Sequence, residues 1–302
     1  MKIKSQTVAI VVALVLLAAG LTYVVLSGDG YEEGSITHLG TNVEGAKIGL
    51  AVPDYTWDKG IESISDLKGS VLFDEEIVGI DAGAGVVMAA ESALDVYELD
   101  GWSVKTSSSP AMISALASAV DAGEDIVVTM WNPHWAVGKY GLKYLEDPDG
   151  VFGGEEQIST IGNTAWIDAN PEAVAIAERF EWTMADIGSV MAEIEEGKTP
   201  AQAAQTWIDD NQATVAGWID DVEGSGKIKI GLVNWECAVA SSNVMKLVFE
   251  QAGFQVDLIE ADAGVMYTGL AGGDVHLSFT AWVPLTHASY YEKYVEDFED
   301  YI

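Results

Sequence analysis

Asp125-Ile126-Val127-Val128-Thr129-Met130-Trp131-Asn132-Pro133 is a short β-branched run that ends in tryptophan, and Val275-His276-Leu277-Ser278-Phe279-Thr280-Ala281-Trp282-Val283-Pro284 ends in the same way. Each closes a strand-helix-strand-helix-strand passage, the first opened by Gly79-Ile80-Asp81 and the second by Gly231-Leu232-Val233. The spacing from glycine to tryptophan is 52 residues in one (79 to 131) and 51 in the other (231 to 282). A methionine sits on the helix ahead of the last strand in both, in Pro110-Ala111-Met112 and in Gly264-Val265-Met266. Two α/β segments match this loosely by chance as well, but shared strand ends of the form Trp-x-Pro point to an internal repeat.

The surrounding sequence extends the alternation. Lys47 to Val52 and Ile77 to Asp81 have strand character, while Pro110 to Ala122 carries Ile113, Leu116 and Val120 at helical spacing. Strands that alternate with crossover helices predict parallel sheets. From Asn170 to Asp220 the pattern is helical, with Pro171 and Pro200 at helix starts and Ile187, Val190, Met191 and Ile194 on one face. Strands return at Lys227 to Val233 and Gln255 to Glu260, separated by a helix through Val244, Leu247 and Val248. Two similar α/β lobes facing each other bring their strand ends to a shared cleft, the usual ligand position in open α/β sheets.

The 302 residues are enough for one large core or two lobes. Lys2 and Lys4 precede an apolar run from Val8 to Leu26, long enough as a helix to cross a hydrocarbon layer of about 30 Å, with its N-terminus on the cytoplasmic side. A cleaved signal segment is the rival reading, although Gly20-Leu21-Thr22-Tyr23 is not a clean small-x-small site. The expected division is an anchor or signal over 1–28, a Gly-, Ser- and acid-rich linker over 29–39 with structure beginning near Lys47, one lobe over 40–140 and a second over 141–302. Cys237, the sole cysteine, offers neither a lipid attachment point near the N-terminus nor a disulfide.

Lysine and arginine number 14 against 48 aspartates and glutamates, a net charge of -34, which excludes nucleic acid as a partner because its phosphates would be repelled. Acidity spread along the chain serves solubility, or adapts the protein to high salt, where screening mutes the mutual repulsion.

Ten tryptophans are present, and Trp131, Trp235 and Trp282 fall at or just after strand ends. A single strand-end tryptophan is ordinarily a packing residue. Three at equivalent edges build an aromatic box whose ring faces attract a cation that has no hydrogen to donate, as a trimethylammonium group has none. A zwitterion also requires an anion site. The turn Asp81-Ala82-Gly83-Ala84-Gly85-Val86-Val87 places free backbone N–H groups at a helix start, although a tight strand-to-helix turn needs no other purpose. His287 lies five residues past Trp282 and adds a donor for the same anion, or is structural. His38, His134 and His276 have no metal-ligand spacing and no CxxC pair exists, so neither a metal nor a cofactor is expected. There is no G-x-S-x-G elbow, Ser107-Ser108-Ser109 ahead of Pro110 is a helix-capping loop, and Glu193 to Glu196 form a solvated face.

Several of these residues stand in longer motifs: Gly79-Ile80-Asp81-Ala82-Gly83-Ala84-Gly85-Val86, Met130-Trp131-Asn132-Pro133-His134-Trp135, Leu142-Lys143-Tyr144-Leu145-Glu146-Asp147-Pro148, Val233-Asn234-Trp235, and Ala281-Trp282-Val283-Pro284-Leu285-Thr286-His287. With them the chain, from about Gly40 onward, resembles the OpuAC/ProX-like glycine-betaine-binding proteins, the substrate-binding subunits of osmoprotectant ABC importers. The resemblance implies a two-lobed, cleft-closing fold of the type II periplasmic-binding-protein class, a non-enzymatic role, an extracytoplasmic location, and an ABC permease and its ATPase as partners. Carried over by position, it implies a tryptophan prism of Trp131, Trp235 and Trp282 around the quaternary ammonium. The ligand carboxylate would meet the backbone N–H groups of Gly85 and Val86 and the side chain of His287. Two departures stand out. Gly45 to Lys68, with Gly49-Leu50-Ala51-Val52-Pro53, looks like a segment that follows the Trp282 region in some members, so the chain resembles a circular permutation. The apolar run also replaces a lipid-modified cysteine. Choline, proline betaine and carnitine remain open as ligands, as do an osmolyte-sensing ectodomain and an enzyme acting on a betaine.

Overall fold

The computed structural model describes residues 36–295. The strands are β1 (Ile36–Pro53), β2 (Glu76–Val78), β3 (Ser103–Lys105), β4 (Val128–Asn132), β5 (Leu142–Tyr144), β6 (Glu156–Asn163), β7 (Lys227–Leu232), β8 (Gln255–Glu260) and β9 (Leu277–Val283). The helices that matter below are α1 (Gly85–Val96), α2 (Ser109–Ala122), α3 (Trp135–Lys139), α4 (Pro171–Arg179), α5 (Met184–Glu195), α6 (Pro200–Asp210), α7 (Gln212–Trp218), α8 (Glu236–Gln251), α9 (Ala263–Gly272) and α10 (Ala288–Tyr294).

At 18 residues β1 is about three times the usual strand length. It reaches this length because it serves two sheets in turn. Its first part, Ile36 to Ala46, pairs antiparallel with β6 through three shifts of register, the last beside Gly45, whose φ of 75° favours glycine. Such bulges bend a strand and increase its twist. Its second part then pairs antiparallel with β4 from Lys47 to Ala51 and with β5 from Ala51 to Pro53.

On either side of β1 the arrangement repeats. One half runs β3-β2-β4 and the other β8-β7-β9, with the neighbours parallel in each. β4 is flanked by β1 and β9 by β6, both antiparallel. The expected all-parallel sheets are therefore mixed, because an antiparallel strand completes the ladder beside each tryptophan-bearing strand. Trp131 and Trp282 take the same place in their halves, opposite Ile48 and Ile158, and both Asn132-Pro133 and Val283-Pro284 are cis. Met112 and Met266 are buried on the equivalent helices α2 and α9.

The helical stretch expected over 170–220 resolves into α4 to α7, with Pro171 and Pro200 in the first turns of α4 and α6. Capping boxes at Thr183/Asp186 and Thr199/Gln202 start α5 and α6, and Gly123 ends α2 in a left-handed cap.

Structure begins earlier than Lys47: Ile36 to Leu39, expected as linker, already lie in β1. Sheet membership also moves the division expected at 140/141, since β5 follows that point yet pairs with β1 beside β4, while Ile36 to Ala46 pair with β6. The chain thus passes between halves within β1 and again between β5 and β6. Ile36 and Val295 form a parallel bridge, so the two ends of the described region are neighbours. The apolar run of 8–26 lies outside the described residues, among which no helix is long and apolar enough to cross a membrane.

Candidate ligand-binding site

A narrow cavity opens where the two halves meet. Trp131 at the end of β4, Trp282 at the end of β9 and Trp235 at the N-cap of α8 form its walls, together with Ile48, Ile80, Ala84, Gly85, Val86 and Thr286. The three indoles are 3 %, 5 % and 2 % exposed for Trp131, Trp235 and Trp282, and no ring pair among the described residues joins any two of them. All three therefore line the cavity without packing on one another. Apart from Thr286 the lining is apolar, which disfavours a bare ion and suits a methylated cation.

The indole N–H groups are used unequally. That of Trp235 donates to Asp81 Oδ2 at 3.0 Å, across the boundary between the halves. The Trp131 N–H has only the Cys237 sulfur, a weak acceptor, in reach, and the Trp282 N–H has no protein acceptor. Burial pushes the Cys237 thiol up to about 12, which keeps it protonated behind the Trp131 ring.

Beside the indoles stands a helix start. Ala84, the N-cap of α1, is extended and supplies no side-chain cap, so the N–H groups of Gly85 and Val86 begin the helix without one. A β-carbon on Gly85 would lie 2.2 Å from the Thr286 carbonyl oxygen and 2.5 Å from Thr286 Cγ2. Only glycine permits this approach of α1 to the loop after β9. That loop is held by Glu156, buried at 1 % exposure, whose carboxylate accepts from the N–H groups of Leu285 (3.0 Å) and Thr286 (2.8 Å) and from the Thr286 hydroxyl.

His287 is fully buried at the end of the same loop, 5.8 Å from the Trp235 ring centroid. Its Nδ1 accepts from the Trp282 backbone N–H at 3.1 Å, which places the ring proton on Nε2. The Tyr267 hydroxyl, 3.0 Å from the same Nδ1, then donates to it. Burial lowers the His287 pKa to about 3, so the ring is neutral, and its Nε2–H is a buried donor with no protein acceptor.

All six candidates from the sequence come together here, five on the cavity wall and His287 next to Trp235. The sequence did not signal Ile48, Ile80 or Ala84 as lining, nor the supporting roles of Asp81, Glu156 and Tyr267. Glu156 follows Gly154-Glu155 in an ordinary acidic run, and only its burial distinguishes it.

The family model for the substrate-binding domain of ABC-type glycine betaine transport systems matches residues 26–210 and 226–302. The chain belongs to this family. The glycine betaine/carnitine transport binding protein GbuC of Listeria monocytogenes is 38 % identical over 228 residues, 74 % of this chain and 76 % of that protein. Lactococcal OpuAC, solved in its closed-liganded conformation with glycine betaine, superposes with a TM-score of 0.58 at 43 % identity, covering 61 % of this chain and 71 % of its own. The ProX protein of Borrelia burgdorferi gives the same TM-score at 33 % identity, with 62 % and 71 % covered. As a member of the OpuAC family, this protein is a substrate-binding component of an ABC transport system, not an enzyme, and its α/β fold is of the periplasmic-binding-protein kind.

Proposed function

We propose that this protein captures glycine betaine outside the cytoplasm and delivers it to an ABC permease driven by its ATPase. The observation that carries the reading is the set of three buried indoles that line an apolar cavity and do not pack on each other. In this reading Trp131, Trp235 and Trp282 surround the trimethylammonium group, each cation–π contact contributing about 0.5–2 kcal/mol. The carboxylate accepts from the N–H groups of Gly85 and Val86 and from the neutral Nε2–H of His287. A cation without a carboxylate leaves those donors unpaired, which is how the site selects against it. Names of relatives that mention glycine betaine support the same ligand.

Two lobes close on the ligand, one built on β2, β3, β4, β5 and the second part of β1, the other on the first part of β1 with β6 to β9. The apolar run at 8–26 tethers the protein to the cell membrane in place of a lipid anchor. Adjacent ends at Ile36 and Val295 support the circular permutation, since one fold can be opened at a second point only where the ends of the chain meet. The net charge of -34 suits a salty medium.

Intrinsic tryptophan fluorescence, followed in high salt during titration with glycine betaine, choline and proline, tests the ligand assignment. A saturable change with glycine betaine, a weaker one with choline and none with proline is the expected result. A folded protein that responds to none of them overturns it, and an equal response to choline removes the carboxylate site from the proposal.

A further inference from the structure

Next to Trp235 stands Glu236, the first residue of α8, and its side chain reaches across to the other half. Both carboxylate oxygens accept from the Ser109 hydroxyl, at 2.9 and 2.8 Å, and His134 Nε2 lies 3.3 Å from Oε2. Ser109 opens α2 and His134 caps α3, so both partners are carried by the half that bears Trp131. The Ala136 N–H donates to His134 Nδ1 at 3.0 Å, which leaves the ring proton on Nε2, facing Glu236. The His134 ring in turn meets Trp131 edge-on, with centroids 4.6 Å apart and planes at 81°. Trp131 thus touches His134, whose Nε2 faces the Glu236 carboxylate without a formed hydrogen bond, and Glu236 follows Trp235 in the chain, so the bond across the halves is the one from Ser109.

The setting is one in which such a bridge can open. The side chain of His134 is fully buried, whereas Glu236 keeps a fifth of its side-chain surface exposed, at the edge of a second cavity that Pro110, Trp135 and Asn234 also line. One side of the carboxylate is open to solvent. A charge-assisted hydrogen bond lost on opening is replaced there by hydration, so the bond adds to closure without trapping the protein shut.

We propose that Glu236 is a positioning residue: by accepting from Ser109, with His134 alongside, it latches the two halves of the cage and sets how long the ligand stays. The proposal rests on the glycine betaine reading above for its ligand, but not for its geometry. Latch contacts form after the ligand has entered, so they act on release and not on encounter.

Stopped-flow tryptophan fluorescence with glycine betaine separates the two rates. In Glu236→Gln we expect the dissociation rate to rise about tenfold, the loss of roughly one hydrogen bond to a charged group, with the association rate nearly unchanged. Ser109→Ala should raise it less, and the double variant should be no faster than Glu236→Gln alone, because both substitutions break the same contact. The unfolding midpoint without ligand should not move. A dissociation rate equal to that of the unaltered protein overturns the proposal. So does a lowered ligand-free midpoint with unchanged dissociation, which makes Glu236 only a favourable charge at a helix start. If the unaltered protein gives no saturable response to glycine betaine, the ligand reading fails and the latch is judged by small-angle X-ray scattering. A larger radius of gyration in Glu236→Gln then supports it, and superimposable profiles overturn it.

Discussion

Two groups of three tryptophans are buried in this protein, and burial does not tell them apart. Trp182, Trp207 and Trp218 are 6 %, 6 % and 5 % exposed, against 3 %, 5 % and 2 % for Trp131, Trp235 and Trp282. Nor does a lone indole N–H mark a site, since that of Trp182 lacks an acceptor as that of Trp282 does. The difference lies between the rings. Trp207 stacks on Trp218 with centroids 5.7 Å apart and 13° between planes, meets Trp182 edge-on at 5.6 Å, and Phe180 closes on Trp218 at 5.2 Å. Those faces are used by each other. The other three line a cavity and do not pair with one another, their ring neighbours being His134 and His287, whereas ring faces paired with each other have nothing left to offer a cation.

The largest effect that tests this contrast comes from removing one ring from each group. Trp282→Ala should abolish measurable glycine betaine binding by calorimetry, because the cavity loses a wall as well as a cation–π contact, and should leave the protein folded. Trp207→Ala should cost about 3–5 kcal/mol of stability in a urea melt, the usual penalty for deleting a buried tryptophan, while the folded fraction keeps its affinity. If Trp207→Ala weakens binding as much as Trp282→Ala, the two groups are one cooperative unit and the distinction fails. Gly85→Ala should come next. A β-carbon 2.2 Å from the Thr286 carbonyl holds α1 away from the loop after β9, so affinity should fall by about tenfold or more, with little change in the ligand-free unfolding midpoint.

How far each group was legible in the sequence follows from the same contrast. Trp131 and Trp282 announce themselves because Trp-x-Pro recurs at nearly equal spacing, and a repeat in sequence becomes a repeat in sheet order: β3-β2-β4 against β8-β7-β9. Gly85 was visible as part of a glycine-rich turn, but its reason, the contact with Thr286, spans about 200 residues and has no local trace. β1 departs from the sequence expectation for a physical cause. Only its second part, rich in Ile48, Leu50 and Val52, has strand character, while Ile36 to Ala46 includes Gly40, Gly45 and polar residues. Those residues become strand because β6 offers a ladder, and bulges absorb the mismatch. The same tertiary override hid the true point at which the chain leaves the first half, since β5 is three residues long and gains its place from β1 alone. Glu236 carries no signal in the sequence, because a first-turn glutamate is ordinary and its partners come from 102 and 127 residues away.

Histidine 287 sharpens the contrast through pH. Its pKa is about 3 in the folded protein against 6.5 as the reference value, so the unfolded chain takes up a proton that the folded one refuses. Stability from this group is complete above pH 6.5 and declines as pH falls from there toward 3. Burial lowers the pKa of His38 and His276 as well, so the effect must be isolated by difference. Between pH 7 and 5, His287→Gln should lose less stability than the unaltered protein, and glycine betaine affinity should already be reduced at pH 7, since the Nε2–H donor is displaced. A pH dependence identical in both proteins means that His287 is reached by solvent and is not the buried neutral donor described here.

The smallest effect is the most symmetrical test, because each group contains one indole that donates to a carboxylate: Trp235 to Asp81 at 3.0 Å and Trp207 to Asp186 at 3.1 Å. Each bond is worth about 1 kcal/mol on the ordinary scale for hydrogen bonds, but in different currencies of measurement. Asp81 and Trp235 belong to opposite halves, so their bond forms with closure, and Asp81→Ala should lower affinity about fivefold without moving the ligand-free midpoint. Asp186 also closes the capping box of Thr183 at the start of α5, within one half, so Asp186→Ala should lower the midpoint and spare affinity. Should Asp81→Ala instead destabilise the ligand-free protein by as much as Asp186→Ala does, the two halves are already locked together without ligand, and closure cannot be what the Trp235 bond reports.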